Sequence, residues 1–371
     1  MRYLFSIIFL LSGAITFAQV DSNEVTKTFT LSGYVEAYYL YDFNKPANKD
    51  LPPFMYSFNR HNEPNINLGY VKLNYTSPFV RANASVMVGT YQQANLAAEP
   101  IVLKNIFELN FGVKLLKKHE LWLDIGIMPS HIGFESAIGK DCWNMTRSLL
   151  ADNSPYFETG GKISYTTANG KLQAAVFVLD GWQRIVPVKG SILPAFGWQL
   201  QYVPNEKFTF NSSSFIGTDD PDVTRRMRYF HNFYAILNAN NKLAFTTGFD
   251  FGAQQQAKGS SGYNWWYSPV LIGKYAFNNS LTLAARIEFY SDKNGVIIAT
   301  GTPNGFGTMG YSLNVDYVPY KNILLRVEGR LLQSTTDEIF IKGNSTTKLE
   351  PFIGLSFSYY LSEIFNLKKR T

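Results

Sequence analysis

The sequence predicts an all-β protein, a transmembrane antiparallel up-and-down β-barrel of about sixteen strands. Three observations lead to this fold class. Apolar and polar residues alternate with a period of two along many segments, these segments are roughly 10 to 16 residues long, and tight turns alternate with long loops between them. Strands of soluble sandwiches are usually nearer five or six residues, whereas about 9 to 11 tilted residues cross the hydrocarbon of a bilayer.

The composition excludes two other classes of protein. Aromatic residues make up 16% of the 371 residues, with 23 Tyr and 29 Phe, so the chain is not disordered. The mean hydropathy is -0.11. After the N-terminus, no stretch approaches the roughly 20 apolar residues that a spanning helix needs. A helical membrane protein is therefore excluded.

The N-terminus has the features of a secretory signal peptide over residues 1–18. Arg2 precedes an apolar run over residues 4–11 that is too short to span a bilayer, and Thr16-Phe17-Ala18 before Gln19 fits a cleavage site. We therefore expect an exported chain. Residues 19–371 are expected to form one barrel domain, because no Pro-rich or charged linker divides them.

The charge, the single cysteine and the histidines exclude further classes. The formal net charge of +6 is spread along the chain without a basic block, so no nucleic-acid partner is expected. Cys142 is the only cysteine and cannot form an intramolecular disulfide. The four histidines lie far apart and lack the spacing of metal ligands, so neither a metal nor a cofactor is expected.

The strand pattern is clearest in four places. From Phe29 to Asp42, alternate residues form one apolar and one largely polar face, and the pattern recurs from Phe107, Leu281 and Ile323. Charged residues lie in mid-strand on the polar face. Aromatic residues near strand ends are expected to form girdles at the membrane interfaces, among them Tyr38, Tyr39, Tyr41, Trp265, Trp266, Tyr267, Tyr317, Tyr320, Tyr359 and Tyr360.

The connections give an independent indication of the topology. Short ones carry turn residues, for example Ala168-Asn169-Gly170 and Pro204-Asn205-Glu206. An even number of strands places these turns and both termini in the periplasm and the long connections outside the cell. The long connections are rich in Asn, Asp, Gly, Pro and Ser and lie near residues 44–65, 92–101, 135–154, 183–191, 218–225, 255–262, 292–304 and 335–347.

A barrel of this size is expected to hold a water-filled channel lined by charge. In hydrocarbon every backbone N–H and C=O must be paired, so a sheet spans only when it closes on itself. At about sixteen strands the interior is too wide for wall side chains alone to fill. Charged residues on the polar face would select ions or hold the wall rigid as ion pairs. We expect the following residues to line the pore: Glu36, Lys72, Arg81, Glu108, Lys114, Asp250, Arg286, Glu288, Asp316, Arg326, Glu328 and Arg330.

One long connection is more apolar than a solvated loop. Pro129-Ser130-His131 interrupts a strand, and about twenty residues with several apolar side chains follow. This composition predicts a loop near residues 135–154 that folds inward and narrows the channel. Its constricting residues are expected to be Glu135, Asp141, Trp143 and Arg147.

Two other features have competing interpretations. His231 on a predicted strand would serve a hydrolase only with a serine on a neighbouring strand, and no G-x-S-x-G motif accompanies it. The acids of residues 219–222 offer oxygen ligands for Ca²⁺, form an ordinary solvated loop tip, or pair with the arginines of residues 225–228. Those arginines also suit the phosphates of lipopolysaccharide.

Three stretches resemble a known family: Leu31-Ser32-Gly33-Tyr34-Val35-Glu36-Ala37-Tyr38-Tyr39, residues 133–148 before Pro155-Tyr156, and Glu350-Pro351-Phe352-Ile353-Gly354. Through them the chain resembles the putative β-barrel porin-2 (OmpL-like) family of Bacteroidetes and related bacteria. The resemblance covers nearly the whole mature chain. It implies an outer-membrane porin-like protein without established catalytic residues, and it does not account for Cys142.

The function expected from the sequence is passive diffusion of small hydrophilic solutes or ions through a porin in the bacterial outer membrane. Its partners would be membrane lipid, lipopolysaccharide and the solutes, with a homo-oligomer possible. Three rivals are a loop-plugged barrel that acts as a receptor or adhesin, a lipid-acting barrel hydrolase, and a secreted soluble β-sandwich.

Overall fold

The computed structural model describes residues 27–367, and the predicted signal peptide at residues 1–18 lies outside them. The strands are β1 (Lys27–Asp42), β2 (Pro64–Thr76), β3 (Val80–Val88), β4 (Ile106–Lys114), β5 (Glu120–Pro129), β6 (Phe157–Thr166), β7 (Leu172–Leu179), β8 (Ala195–Asn205), β9 (Phe208–Gly217), β10 (Arg228–Asn238), β11 (Leu243–Gln255), β12 (Tyr263–Ala276), β13 (Leu281–Asp292), β14 (Phe306–Tyr320), β15 (Ile323–Ser334), β16 (Phe340–Lys342), β17 (Ser345–Thr347) and β18 (Leu349–Leu367).

Sixteen of these strands close into one antiparallel barrel, while β16 and β17 form a separate two-stranded sheet. β1 pairs with β2 on one side and with β18 on the other, so the first and last strands complete the circle. Every barrel strand therefore has two neighbours, and the backbone ladder has no free edge. The predicted fold class and the strand number are confirmed.

The alternation of side chains gives the barrel an apolar outside. On β2, Val71 and Leu73 are 55% and 49% exposed, whereas Lys72 between them points inward. On β13, Ile287 is exposed while Arg286 and Glu288 are buried. An apolar belt of this kind is costly in water and suits the hydrocarbon of a bilayer.

The aromatic residues illustrate a limit of the girdle prediction. Tyr39, Trp265 and Tyr267 face outward, but Tyr38 and Trp266 are buried inside the barrel. Successive residues of a strand point to opposite faces, so adjacent aromatic residues cannot all lie at the membrane interface. The prediction was wrong for Tyr38 and Trp266, and also for Tyr360, which lines a cavity inside the barrel.

Short and long connections alternate as predicted. The turns at one end are short, for example residues 167–171, where Gly170 has a φ of +68° that favours glycine. The long loops at the other end carry the short helices α1 (Thr90–Asn95) and α2 (Leu149–Asp152) and 3₁₀ turns at Leu103–Asn105 and Gly139–Asp141. Among residues 27–367, no helix is long and apolar enough to cross a bilayer.

The largest apolar cluster of the described residues lies inside the barrel near the long loops. Loop 43–63, between β1 and β2, contributes Leu51, Phe54, Met55 and Phe58, all buried. The Phe54 ring packs edge-on against Phe306 at a centroid distance of 4.9 Å. Loops therefore fill much of this end of the interior, which the wall side chains alone would leave open.

Candidate functional site

The connection between β5 and β6, residues 130–156, folds into the barrel, and we call it the inner loop. Its base is closed by a hydrogen bond from Ser130 N to Tyr156 O of 3.0 Å. At Gly133 the chain turns with a φ of +83°. Ser148 caps the N-terminus of α2, and its hydroxyl accepts a hydrogen bond from Ala151 N of 3.2 Å.

Two buried glutamates of the wall hold the inner loop by its backbone. Glu328 on β15 accepts hydrogen bonds from Thr146 N at 2.5 Å and from Thr146 Oγ1 at 3.0 Å. Glu288 on β13 accepts one from Leu149 N at 2.6 Å. Hydrogen bonds to an ionised acceptor are the stronger kind, so the loop is firmly attached to this side of the wall.

Three buried arginines complete the attachment. Arg286 Nη1 donates to Thr146 O at 2.7 Å, and Arg326 Nη1 donates to Gly139 O at 2.7 Å. Arg330 contacts both the inner loop and the wall, because it donates to Thr146 Oγ1 at 3.1 Å and to Glu288 at 2.7 Å. We call these three arginines with Glu288 and Glu328 the wall cluster.

Arg286 and Arg330 of the wall cluster are balanced by its two glutamates, and Arg326 is balanced by Asp316 on β14. Arg286 lies 3.2 Å from both Glu288 and Glu328, and Arg326 lies 2.8 Å from Asp316. The residues of the wall cluster are each no more than 3% exposed. Buried charges are tolerated only when they are paired and hydrogen-bonded, which is the case here. The sequence predicted charged pore lining, whereas these five side chains contact the inner loop.

The four predicted constricting residues have different surroundings. Glu135 is buried and accepts a hydrogen bond from Ser148 N at 3.0 Å. Arg147 is buried and donates to Ser136 O and Met145 O, both at 2.6 Å, so it links the loop to itself. Trp143 is partly buried beneath Lys274, and Asp141 is exposed beside Lys140. All four belong to the inner loop, but only Glu135 and Arg147 stabilise its core.

The beginning of the inner loop is fixed by His131. Its Nδ1 lies 2.8 Å from Glu158 on β6, and its Nε2 lies 2.9 Å from Ser214 O on β9. The ring stacks on Phe177 at a centroid distance of 4.0 Å. Burial disfavours the charged ring, but the Glu158 carboxylate outweighs this effect, and the pKa of His131 is raised above its ordinary value.

Glu36 and Asp250 each accept a hydrogen bond from an asparagine side chain that in turn binds a loop. Asn67 donates to Glu36 at 2.9 Å and accepts a hydrogen bond from Phe58 N of loop 43–63 at 3.0 Å. Asn232 donates to Asp250 at 2.5 Å and accepts one from Gly133 N at 3.2 Å. Each buried carboxyl group therefore orients an amide that binds a loop.

The wall formed by β2–β6 is less buried than the wall cluster. Lys72 lies 2.6 Å from Glu108, and Arg81 lies 2.5 Å from Asp124, with 21% and 34% of the two basic side chains exposed. Lys162 is 3.6 Å from Asp124 and 27% exposed. Lys114 pairs with Glu120 near the short turns. These pairs keep contact with solvent inside the barrel.

Two cavities adjoin the inner loop. One of about 240 Å³ lies toward β3–β6 and is lined by Tyr91, Phe107, Glu108, Phe134 and Tyr156. The other, of about 450 Å³, lies near the short turns and is lined by residues 140–143 together with side chains of β12–β15 and β18. Both have polar and apolar walls.

The structure shows the surroundings of His231 and of the acids at residues 219–222. His231 Nε2 lies 2.9 Å from Ser212 Oγ on β9, but no other described residue hydrogen-bonds to the ring, which packs against Trp198 and Phe233. Asp220 pairs with Arg226 at 2.8 Å, while residues 219 and 222 also pair with arginines. Residues 27–367 contain no cluster of three His, Cys, Asp or Glu residues suited to a metal.

Sequence reasoning missed several residues of this site. Asp124 occupies an inward position between Leu123 and Ile125, so the alternation of β5 was a usable signal. Lys274 was obscured because the inward neighbours Val270 and Ile272 are apolar and pack against the inner loop. The inward packing of loop 43–63 has no periodic signal at all.

The chain was compared with known proteins. Residues 28–361 match the putative beta-barrel porin-2, OmpL-like, family. No curated protein matches the chain. The anion-selective porin from Comamonas acidovorans is similar with a TM-score of 0.59 and 11% identity, over 90% of this chain and 100% of that chain.

Two further solved structures share the fold. The outer membrane channel DcaP of Acinetobacter baumannii has a TM-score of 0.56 and 13% identity, over 90% of this chain and 97% of that chain. OmpT of Vibrio cholerae, in its trimer form, has a TM-score of 0.54 and 11% identity, over 90% and 99%. The TM-scores show a common fold, and at identities of 11% to 13% the similarity shows the fold alone.

Proposed function

Because the chain belongs to the putative beta-barrel porin-2, OmpL-like, family, we propose that it lets small hydrophilic solutes or ions diffuse passively through its interior, past an inner loop that narrows the passage. The family and the fold place a porin-like barrel in the bacterial outer membrane. The solute path and the narrowing are our proposal.

The position of the inner loop is the observation that carries this proposal. The loop is bound to the wall cluster on β13 to β15, whereas the ion pairs on β2–β6 keep contact with solvent. A path that follows β2–β6 would offer charged and amide groups to a hydrated solute and would be narrowed by the loop. Lys72, Arg81, Glu108 and Lys114 would then line it.

Swelling of liposomes tests the proposal. Liposomes that contain the folded protein should swell in arabinose faster than in raffinose, because a narrowed passage sorts neutral sugars by size. Liposomes with heat-denatured protein are the control. A swelling rate equal to that of the control in every sugar would contradict passive diffusion.

A loop-plugged barrel is the second candidate, and the packing at the long-loop end favours it. Phe54, Phe58 and Leu149 belong to one buried apolar cluster that spans loop 43–63, the inner loop and the wall. A barrel sealed there would act as a receptor or adhesin. It would give no swelling in any sugar even when its folded state is verified.

We propose that the protein is not an enzyme. A Ser-His pair needs a third group that orients the histidine and donors that stabilise an oxyanion. The contact between Ser212 and His231 is the only hydrogen bond of that ring to the described residues. Purified protein should therefore not hydrolyse phospholipid, and hydrolysis that is lost in His231→Ala would contradict this view.

The partners follow from the same proposal. The apolar belt would contact outer-membrane lipid, and Arg226, whose side chain is 43% exposed, would contact lipopolysaccharide at the rim. OmpT has been described in a trimer form, and we propose a homo-oligomer for this chain, which analytical ultracentrifugation in detergent would test.

A further inference from the structure

The cavity of about 450 Å³ lies at the end of the barrel that carries the short turns, and we call it the lower cavity. Lys321 belongs to the turn between β14 and β15, and Thr282 is the second residue of β13, just after another short turn. Residues 140–143 of the inner loop form the opposite side. The lower cavity therefore lies between the inner loop and the end assigned to the periplasm.

The charges that line the lower cavity are unbalanced. Its lining includes four basic side chains, Lys140, Lys274, Lys321 and Arg326, but only two acids, Asp141 and Asp316.

Both acids are already engaged. Lys140 pairs with Asp141 at 2.5 Å, and Arg326 pairs with Asp316 at 2.8 Å. No described residue forms an ion pair with Lys274 or Lys321. Two positive charges thus remain without a counter-ion.

Aromatic rings hold two of the lysines in place without neutralising them. Lys274 Nζ lies 4.3 Å from the centroid of Trp143, and Lys140 Nζ lies 5.1 Å from that of Tyr360. A ring face attracts a cation through its quadrupole but carries no net charge. The rings therefore restrict the position of both ammonium groups without supplying a counter-charge.

We infer that the lower cavity is a binding site for small anions that carry two or more carboxylate or phosphate groups. One acidic group would pair with Lys274 and another with Lys321, and Thr282 would supply a hydroxyl. The cavity is large enough for a molecule of several carbon atoms. This inference deepens the proposed function, since it names a class of solute that the barrel would bind at its short-turn end.

The test is the binding of citrate to the purified barrel in neutral detergent at low salt, measured by isothermal titration calorimetry. Citrate should bind the wild-type protein, and Lys274→Gln and Lys321→Gln should each weaken its affinity about tenfold, as for the loss of one charge pair. Lys171→Gln is the matched control, because Lys171 is exposed in another short turn. It should leave the affinity unchanged.

The folded state of each variant is checked by its heat-modifiable mobility on gels, and Lys321 is exposed, so its replacement should not disturb the barrel. Absence of citrate binding to the wild-type protein would overturn the inference, and so would an affinity equal to that of the wild-type protein in both Lys274→Gln and Lys321→Gln. The assay needs no conduction. Binding without liposome swelling would therefore refute passive diffusion alone, and swelling without binding would refute the anion site alone.

Discussion

Arg286 shows how a single buried charge is used in this barrel. Its guanidinium contacts Glu288, Glu328 and, at 3.8 Å, Glu135 of the inner loop, and it donates to Thr146 O. The same cation thus balances the wall and binds the loop. Its loss would leave acids buried in a low dielectric with fewer counter-ions.

We therefore expect Arg286→Met to lower the free energy of unfolding by roughly 3–5 kcal/mol, the usual cost of breaking a buried ion pair. Urea titration of the barrel in lipid vesicles measures this quantity. Arg226→Met is the matched control, because that pair with Asp220 is 43% exposed on its arginine side and should cost about 1 kcal/mol or less. Equal losses in the two variants would contradict the role of Arg286.

His131 adds a pH dependence at the base of the inner loop. Its pKa in the folded protein is raised above the ordinary value, because Glu158 outweighs the effect of burial. A raised pKa means that the stabilisation is fully present below the unfolded value of about 6.5 and is lost as pH rises through the folded value.

His131→Gln should therefore destabilise the barrel more at pH 6 than at pH 9. Each unit by which the pKa is raised contributes about 1.4 kcal/mol to the difference. Urea unfolding at the two pH values gives the measurement, and His119→Gln in an exposed turn serves as the control. A loss of unfolding free energy that is the same at both pH values would show that His131 stabilises the barrel by packing alone.

At the scale of elements, strands and loops differ in how far the sequence predicts them. β1 and β13 follow their alternation closely, because each strand must present one face to lipid and one to the interior. The inner loop was predicted from its apolar content near residues 135–154. Its partners were not predictable, because the contact from Thr146 to Glu328 joins residues 182 positions apart.

The same limit applies to the charged residues of the candidate site. Alternation predicts that Arg330 and Lys72 point inward, and both do. It cannot tell that a loop covers Arg330 while solvent reaches Lys72, since that depends on how the inner loop crosses the barrel. Whether these residues line a conducting path stays a prediction.

The inner loop should limit the flow of ions. Replacement of residues 136–150 by a short Gly-Ser linker should raise the single-channel conductance about twofold or more, because the channel cross-section sets the current. The exposed wall would remain neutral, since Arg286 and Arg330 still pair with Glu288 and Glu328. An unchanged conductance would show that the restriction lies elsewhere.

A matched control for this deletion is a Gly-Ser replacement of residues 257–261. That segment belongs to the connection between β11 and β12, and most of its residues are exposed. It should leave the conductance as it is in the wild-type protein. A rise as large as that of the inner-loop deletion would mean that any shortened loop loosens the barrel.

In the whole molecule, the interior is filled at the long-loop end and more open at the end with the short turns. The outside is apolar, the long-loop end is filled by loop 43–63 and the inner loop, and the end with the short turns holds the lower cavity. Passive diffusion requires that water still connects the two ends along β2–β6. Without this continuity of water the barrel would be closed.

Single-channel recording in a planar bilayer measures whether ions cross the barrel. With salt on both sides of the membrane, the protein should give discrete, stable current steps, because the ion pairs along β2–β6 keep contact with solvent. Recordings in which the folded, inserted barrel passes no current at any voltage would contradict passive diffusion and favour a plugged receptor.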